Sequence, residues 1–515
     1  MTRKPNIVLF ISDEQRADTM PGVSPIDVYA PHAAWLARQG AVFRNAFCTA
    51  PICSPARGSI LTGLYPHTTG MVCNYDMDPK TFAPICPPMP NDARVIADYL
   101  KPDGYTCAYV GKWHLPTGDD RRGFTDFVRR VGHHDIESEA SDDALRFTAK
   151  TGIGEGIGLE FASYLNRPGT EAARRDGATK LPLAFHNSAF MAEEAVAFIR
   201  AQAGSDKPFL LVYSCVEPHP MGLIYNTAPC PFDRMYNPKD MPLPETRRDP
   251  AGPELMRRRA VPSLKSAEKF SDDQLRELMA GYYATVSYVD HLLGVALGAL
   301  LATDQLDDTL VIFTSDHGEM MADHCLLKKG PVMYESLINV PLIVKPPAGA
   351  PKGLEVASLV SHVDLLPTIL NYCGAQVPGH LPGKDLHGLL NGQEAELREG
   401  VAVEYHSRRW GHSMCPVRAW RTREWKYVET LAGPEEFYNL KADPLEARNL
   451  IADPAYDGIK TRLRGALYKW LAESGDAWPS VIEPERLEGT VMTASDEPSP
   501  LLVRAEPMGE MAMSR

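Results

Sequence analysis

Two short stretches place chemically able side chains at spacings that suit work on an anion. The first is Cys53-Ser54-Pro55-Ala56-Arg57. Pro55 favours the first turn of a helix, and a helix start aims backbone N–H groups at negative charge. A thiol there is either a small buried hydrophobe, as most lone cysteines are, or a nucleophile. The second stretch is Gly111-Lys112-Trp113-His114-Leu115. Lys112 and His114 lie two residues apart, so in an extended segment both point to one face and can share an anion site. Further along, Asp13-Glu14, His219, and Asp316-His317 each follow an apolar run. Acids at such places often only cap a helix or face solvent. Lys328 and Lys329 read either as a solvated face or as a charge for the site, and the position before Gly330 favours Lys329.

These groups are far apart in the chain, so the elements between them must bring them together. Residues 6–12, 208–216 and 309–315 are apolar, β-branched runs that read as buried strands. Helical patterns at 32–39, 189–203 and 273–303 alternate with them. That alternation predicts a largely parallel sheet with helices on both faces. Ligands of such sheets sit at the carboxyl ends of the strands, which is where Asp13, His219, Asp316 and His317 fall. Residues 118–181 and 221–263 read as long surface insertions. A helix-like segment at 361–372 leads through a Gly/Pro-rich connection at 374–392 to strand-like runs at 401–405 and 425–429, which suggest a small antiparallel sheet. The expected domains are 1–392, 393–482, and a tail at 483–515 that is either disordered or packed on a partner subunit.

Composition narrows the class. A chain of 515 residues with 44% hydrophobic and 23% charged residues suits a large globular enzyme of two unequal lobes. Its net charge of −13 argues against nucleic acid as a partner. The apolar run near the start is cut short by Ser12, Asp13 and Glu14, and no apolar stretch elsewhere is expected to span a bilayer. The ten cysteines are scattered singly without CxxC pairs, which points to reduced thiols in a cytoplasm and excludes a zinc cluster.

The stretch Cys53-Ser54-Pro55-Ala56-Arg57, continued by Gly58-Ser59-Ile60-Leu61-Thr62-Gly63, matches the C-x-P-x-R element that formylglycine-generating enzymes recognise. It is accompanied by Gly111–His114, Pro218-His219-Pro220, Ser315-Asp316-His317-Gly318-Glu319, Lys329 before Tyr334-Glu335, Asp364-Leu365-Leu366-Pro367-Thr368, and Phe437-Tyr438-Asn439-Leu440 with Asp443-Pro444. In this order the set resembles the formylglycine-dependent (type I) sulfatases of the alkaline-phosphatase superfamily, over nearly the whole chain.

The resemblance implies an α/β fold, a large mixed and mostly parallel sheet sandwiched by helices, followed by a small C-terminal α+β domain with an antiparallel sheet. It implies a sulfuric ester hydrolase whose Cys53 is converted to formylglycine (3-oxoalanine) by a transient encounter with the generating enzyme. One hydroxyl of the aldehyde hydrate attacks sulfur and displaces the alcohol, and the other then collapses to the aldehyde and expels sulfate. One divalent metal ion is implied, with Asp13, Glu14, Asp316, His317 and the matured Cys53 as its ligands. Hard oxygen donors favour Ca2+ and leave Mg2+ open, and an imidazole also accommodates Mn2+. By the same resemblance Arg57 steadies the hydrate and the acids, His114 takes the proton when the sulfated intermediate breaks down, and His219 and Lys329 work at the leaving oxygen and the sulfate. Because the substrate is an anion, Lys112, Lys329, Arg57 and the metal must offset its repulsion of the nucleophile.

The substrate expected is a small-molecule or saccharide sulfate ester, with no nucleic acid or membrane partner and a homo-oligomer left open. A phosphonate monoester or phosphodiester hydrolase using the same formylglycine is the nearest rival, and Lys112 with His114 favours the sulfatase. A catalytically silent binding protein is a weaker rival, because the charge motifs are intact. Arg121, Arg122, Arg129 and Arg130, and the segment 406–412 with Arg408, Arg409 and Trp410, are candidates for contacting the alcohol, although such clusters are more often solvated. His67 and His324 read as structural.

Overall fold

The computed structural model describes residues 4–74, 89–115 apart from 91, 121–129, 179–249 apart from 184–185, 221–224 and 226, 264–406 apart from 394, and 416–478 apart from 432 and 477. Its main sheet contains β1 (Asn6–Asp13), β2 (Ala41–Phe47), β3 (Thr106–Gly111), β4 (Asp126–Arg129), β5 (Phe209–Pro218), β6 (Thr309–Ser315), β7 (Leu342–Lys345) and β8 (Leu354–Ser361). Their order is β8-β2-β7-β6-β1-β5-β3-β4. All pairs are parallel except those of β7, which runs against both β2 and β6. The three apolar runs read from the sequence are thus the three adjacent central strands.

Side chains alternate across each of these strands, and both faces are covered. Ile7, Leu9, Ile11, Leu210, Val212, Leu310 and Ile312 enter one layer. Val8, Phe10, Leu211, Tyr213, Val311 and Phe313 enter the other. The covering helices are α1 (Pro31–Gln39), α2 (Cys53–Thr62), α3 (Asn187–Ala201), α4 (Asp272–Ala302) and α5 (Leu365–Tyr372). Helices α2 and α5 pack on the first layer, and α1, α3 and α4 on the second. Helix α4 begins at a capping box in which Ser271 Oγ accepts from Gln274 N and Ser271 N donates to Gln274 Oε1. By length and apolar composition α4 is able to cross a bilayer, so the expectation that no stretch is long enough is corrected. Its apolar residues, Tyr282, Val286, Val289 and Leu293 among them, are spent on the second layer of the core.

A second sheet is antiparallel throughout and runs β9 (Gly400–Tyr405), β10 (Val417–Thr422), β11 (Trp425–Thr430) and β12 (Glu436–Asn439). Helix α6 (Asp457–Ser474) lays Leu463, Leu467 and Leu471 against Tyr427 and Phe437 of this sheet. Of the expected insertions, 118–181 lies largely outside the described residues, and the described part of 221–263 forms a two-residue strand at Pro229–Cys230 and short 3-10 turns, those at Phe232–Arg234 and Pro238–Asp240 against α4 and that at Glu245–Arg248 against Asp323–Cys325. The expected tail 483–515 lies outside the described residues.

One ion network ties α6 and β9 to the turn that follows α2. His67 Nδ1 is 2.7 Å from Glu404 Oε2, its Nε2 is 3.1 Å from the Ser474 carbonyl oxygen, and its backbone N–H donates to Glu404 Oε1 at 2.7 Å. With acceptors at both ring nitrogens, the protonated imidazolium satisfies both. Burial alone would lower the His67 pKa, but Glu404 and Asp476 outweigh it and raise it. A raised folded value means that this contribution is complete below the unfolded value of about 6.5 and is lost as pH rises through the folded one. Glu404, which His67 and His406 hold well below the carboxylate range against its burial, has the opposite sign: its share is lost only in acid. His67→Gln should therefore lower the midpoint of thermal unfolding by several degrees at about pH 6 and by clearly less at about pH 9. Equal losses at both would show that the imidazole is not held charged.

Candidate active site

The register of the central strands creates the site. Ser12 of β1 pairs with Ser315 of β6, so the next residues, Asp13 and Asp316, leave the sheet side by side. Glu14 turns away in a left-handed backbone at φ 66°. That turn is fixed by Glu14 N–H donating to Asp316 Oδ1 at 3.0 Å and by the Tyr282 hydroxyl donating to the Glu14 carbonyl at 2.7 Å. Cys53 is the first residue of α2, every residue of which is buried. Close backbone approach sets the remaining edges. A Cβ on Gly111, at φ 107°, would stand 1.9 Å from the Ser214 carbonyl oxygen, and one on Gly318 would stand 2.0 Å from that of Ser336.

Around Cys53 the groups are close. Its Sγ lies 3.2 Å from His317 Nε2, 3.7 Å from Asp13 Oδ1, and 3.1 Å from Lys329 Nζ. Arg57, one turn further along α2, donates through Nε to Asp316 Oδ2 at 2.9 Å and through Nη1 to the Lys112 carbonyl and Ser214 Oγ. Its Nη2 is 3.5 Å from Asp13 Oδ2, the same oxygen that Lys112 Nζ engages. Lys329 Nζ also donates to Glu14 Oε2 at 2.7 Å, and His219 Nε2 stands 3.3 Å from that oxygen. None of these side chains is more than 8% exposed.

Charge and burial set the protonation pattern. Burial would raise the Asp13 carboxyl, yet Lys112, His219, Arg57 and Lys329 hold it well below the usual range. Burial also works to raise the Cys53 thiol, and Lys112 and Lys329 pull it well below. Burial drives Glu14 well above the carboxylate range, against Lys329 and with help from Glu319. His219 is pushed well below by burial and Lys329. His317 goes the other way: burial would lower it, but Asp316 and Cys53 push it up to about 9. A buried site with this excess of fixed cations is preorganised for an anion that carries its charge near Cys53.

Donor atoms of Asp13, Cys53, Asp316 and His317 all lie within 4.8 Å of one another. Two carboxylates and an imidazole are a fitting set for a divalent ion. Sulfur at the fourth corner matches a hard ion poorly, and an oxygen on the same Cβ would match it well. Glu14 falls in a separate group with Asp13 and His219, and its Oε2 faces Lys329 and His219 instead of the four-atom cluster.

Some expectations change. Lys112 and His114 were expected on one extended strand, but β3 ends at Gly111 and His114 has φ 57°. What keeps His114 near is its carbonyl oxygen, which accepts from Ser54 Oγ at 2.7 Å beside Cys53. Arg122 is corrected as a substrate contact: it is buried and its guanidinium donates to the carbonyls of Met89, Pro90 and Ala93. Arg121 is exposed, and the side chain of Arg129 together with Arg130, Arg408, Arg409 and Trp410 lies outside the described residues. His324 stacks on Tyr334 at 3.8 Å. Ser214 was missed, since a serine inside an apolar strand carries no signal until Arg57 is seen to reach it.

The sulfatase family model matches residues 5–375, and a model described as N-sulphoglucosamine sulphohydrolase, C-terminal, matches residues 323–473. An ulvan-active sulfatase of Formosa agariphila is 30% identical over 93% of this chain and 83% of its own length. A multifunctional alkaline phosphatase superfamily protein of Trinickia caryophylli is 29% identical over 92% of this chain and 96% of its own. The crystal structure of a phosphonate monoester hydrolase of Agrobacterium radiobacter aligns with a TM-score of 0.76 at 26% identity, covering 91% of this chain and 96% of that one. The chain belongs to the sulfatase family, sulfuric ester hydrolases of the alkaline-phosphatase superfamily.

Loss of Arg57 would leave the buried Asp316 carboxylate without its guanidinium partner and Asp13 with one cation fewer. Arg57→Ala should destabilise the protein by about 3–5 kcal/mol, measured by denaturant unfolding. Arg57→Lys should recover less than half of that, because an ammonium cannot reproduce the guanidinium's fork. A neutral Arg57→Ala would show that the two aspartates do not depend on it.

Proposed function

We propose that the protein hydrolyses an organic sulfate ester to an alcohol and sulfate with Cys53, matured to formylglycine, as its nucleophile beside one divalent metal ion. The observation that carries this reading is the convergence of Lys112, Lys329 and Arg57 with Asp13, Asp316 and His317 around the Cys53 side chain, in a buried site. In the mature protein an oxygen of the hydrated aldehyde takes the place of Sγ. Asp13, Asp316, His317 and that oxygen would hold the ion, Ca2+ first, with Mg2+ and Mn2+ as alternatives. When bound, the ion supplies Lewis-acid stabilisation of negative charge at the reacting group.

The chain's own groups account for the rest. Lys112 and Lys329 flank the nucleophile and neutralise the sulfate. Arg57 fixes the orientation of Asp316 and the start of α2. His219, kept neutral by its burial, and Lys329 are the groups that meet the leaving oxygen, with Glu14 holding both in place. His114 handles the proton released as sulfate departs. Since Cys53 and its whole helix are buried, the generating enzyme would have to read the motif before the fold closes. The ulvan-active relative supports a saccharide sulfate as substrate, and a small-molecule sulfate is equally compatible.

A phosphonate monoester hydrolase is the second reading, favoured by the structural likeness to the Agrobacterium enzyme and by the multifunctional relative. Both reactions can share the cation cage. Turnover of an aryl sulfate against the matching aryl phosphonate monoester separates them. The expected result is a higher kcat/KM for the sulfate, loss of turnover to background in Cys53→Ala, and loss on chelation that a divalent ion restores. A phosphonate preference would replace the sulfatase reading with the second one, and a fully active Cys53→Ala would end both.

A further inference from the structure

Lys329 reaches the nucleophile from a loop whose backbone is strained. Between Met321 and Lys328, five non-glycine residues have left-handed backbones: Met321, Ala322, His324, Cys325 and Lys328, with φ between 43° and 72°. Such conformations persist only where the surroundings impose them. Several contacts impose them here, and at the neck of the loop one of them is a carboxylate. The loop closes on itself through Met320 N–H donating to the Lys328 carbonyl at 2.9 Å. At that neck Glu319 Oε1 accepts from Met321 N–H at 3.1 Å and from the backbone N–H of Lys328. The same oxygen accepts from the Tyr225 hydroxyl at 3.0 Å, and Glu319 is fully buried.

Glu319 therefore grips both arms of the loop, on the residue directly before Lys329. It also interacts with Glu14, the residue that binds the Lys329 ammonium at 2.7 Å. One side chain thus holds the backbone at the residue before Lys329 and raises the carboxyl that binds its ammonium, without a hydrogen bond to the Cys53 sulfur or to the other donor atoms grouped with it. We propose that Glu319 is a positioning residue for the reaction, holding Lys329 at the distance from the nucleophile at which it meets the leaving oxygen, with Tyr225 keeping the Glu319 carboxylate in place.

The inference rests on the sulfatase reading and has a signature that simple loss of stability does not share. If Lys329 works at the leaving oxygen, displacing it must slow poor leaving groups more than good ones. The experiment is a series of aryl sulfates, from p-nitrophenyl sulfate to phenyl sulfate, with kcat/KM plotted against the pKa of the released phenol. Lys329→Ala should steepen that dependence, with about a hundredfold loss on phenyl sulfate. Glu319→Ala should steepen it in the same direction, with about a tenfold loss on phenyl sulfate and little on p-nitrophenyl sulfate. Glu319→Gln, which keeps an acceptor oxygen at the neck, should return most of the activity. Tyr225→Phe removes a single donor, carries the test if Glu319→Ala does not fold, and should show a smaller steepening. A uniform loss across the series in Glu319→Ala or Tyr225→Phe would overturn the proposal. So would a wild-type slope in Lys329→Ala. An inactive wild type towards every sulfate would instead overturn the sulfatase reading.

Discussion

Asp13 and Asp316 leave two adjacent parallel strands at the same level, and neither retains contact with water. Two carboxylates in that position repel each other and have each lost their hydration, a cost that only paired and hydrogen-bonded cations can offset. Arg57 meets it with one planar group. Its fork reaches Asp316, Asp13 and Ser214 at once, and so binds helix α2 to β1, β5 and β6. Since Cys53 opens that helix, the demand for charge compensation at the strand ends also fixes the position of Cys53.

The same constraint explains why a chain of net charge −13 can attract an anion. The acids near Cys53 are already engaged by Lys112, Lys329 and Arg57, so the local field is set by how completely each is paired. A divalent ion on Asp13, Asp316 and His317 would share those carboxylates with the cations and free positive potential for the substrate. Lys112 and Lys329 approach the sulfur from separate elements, one just past β3 and the other from the loop after β6. A tetrahedral anion placed at Cys53 is then held from more than one side.

Much of this was legible in the residues. The central strands were readable because strands buried on both faces must be continuously apolar, and each ended within two residues of the expected place. Cys53 was readable because its motif is dense and its companions keep their order. Less was legible where tertiary contacts overrule local pattern. The spacing of Lys112 and His114 suggested an extended segment, yet the chain turns after Gly111, where only a residue without Cβ passes Ser214. Strand β10 carries Arg418 and Arg421 as buried residues, paired with Asp476 and Glu335, and charged residues hide a strand from any hydrophobic pattern. Glu319 was quoted with its motif but had no visible task until the loop it closes was seen in three dimensions.

The proposed chemistry depends on what Cys53 becomes. As a thiol it would be a soft donor beside two carboxylates and an imidazole, whereas an aldehyde hydrate at the same position would offer both an attacking oxygen and a hard donor for the proposed metal ion. Mass spectrometry of the peptide spanning Cys53, from protein purified from its native host, tests this most directly. The expected result is an aldehyde in place of the thiol, trapped as a hydrazone by a hydrazide probe. A fully retained thiol in catalytically active protein would contradict it.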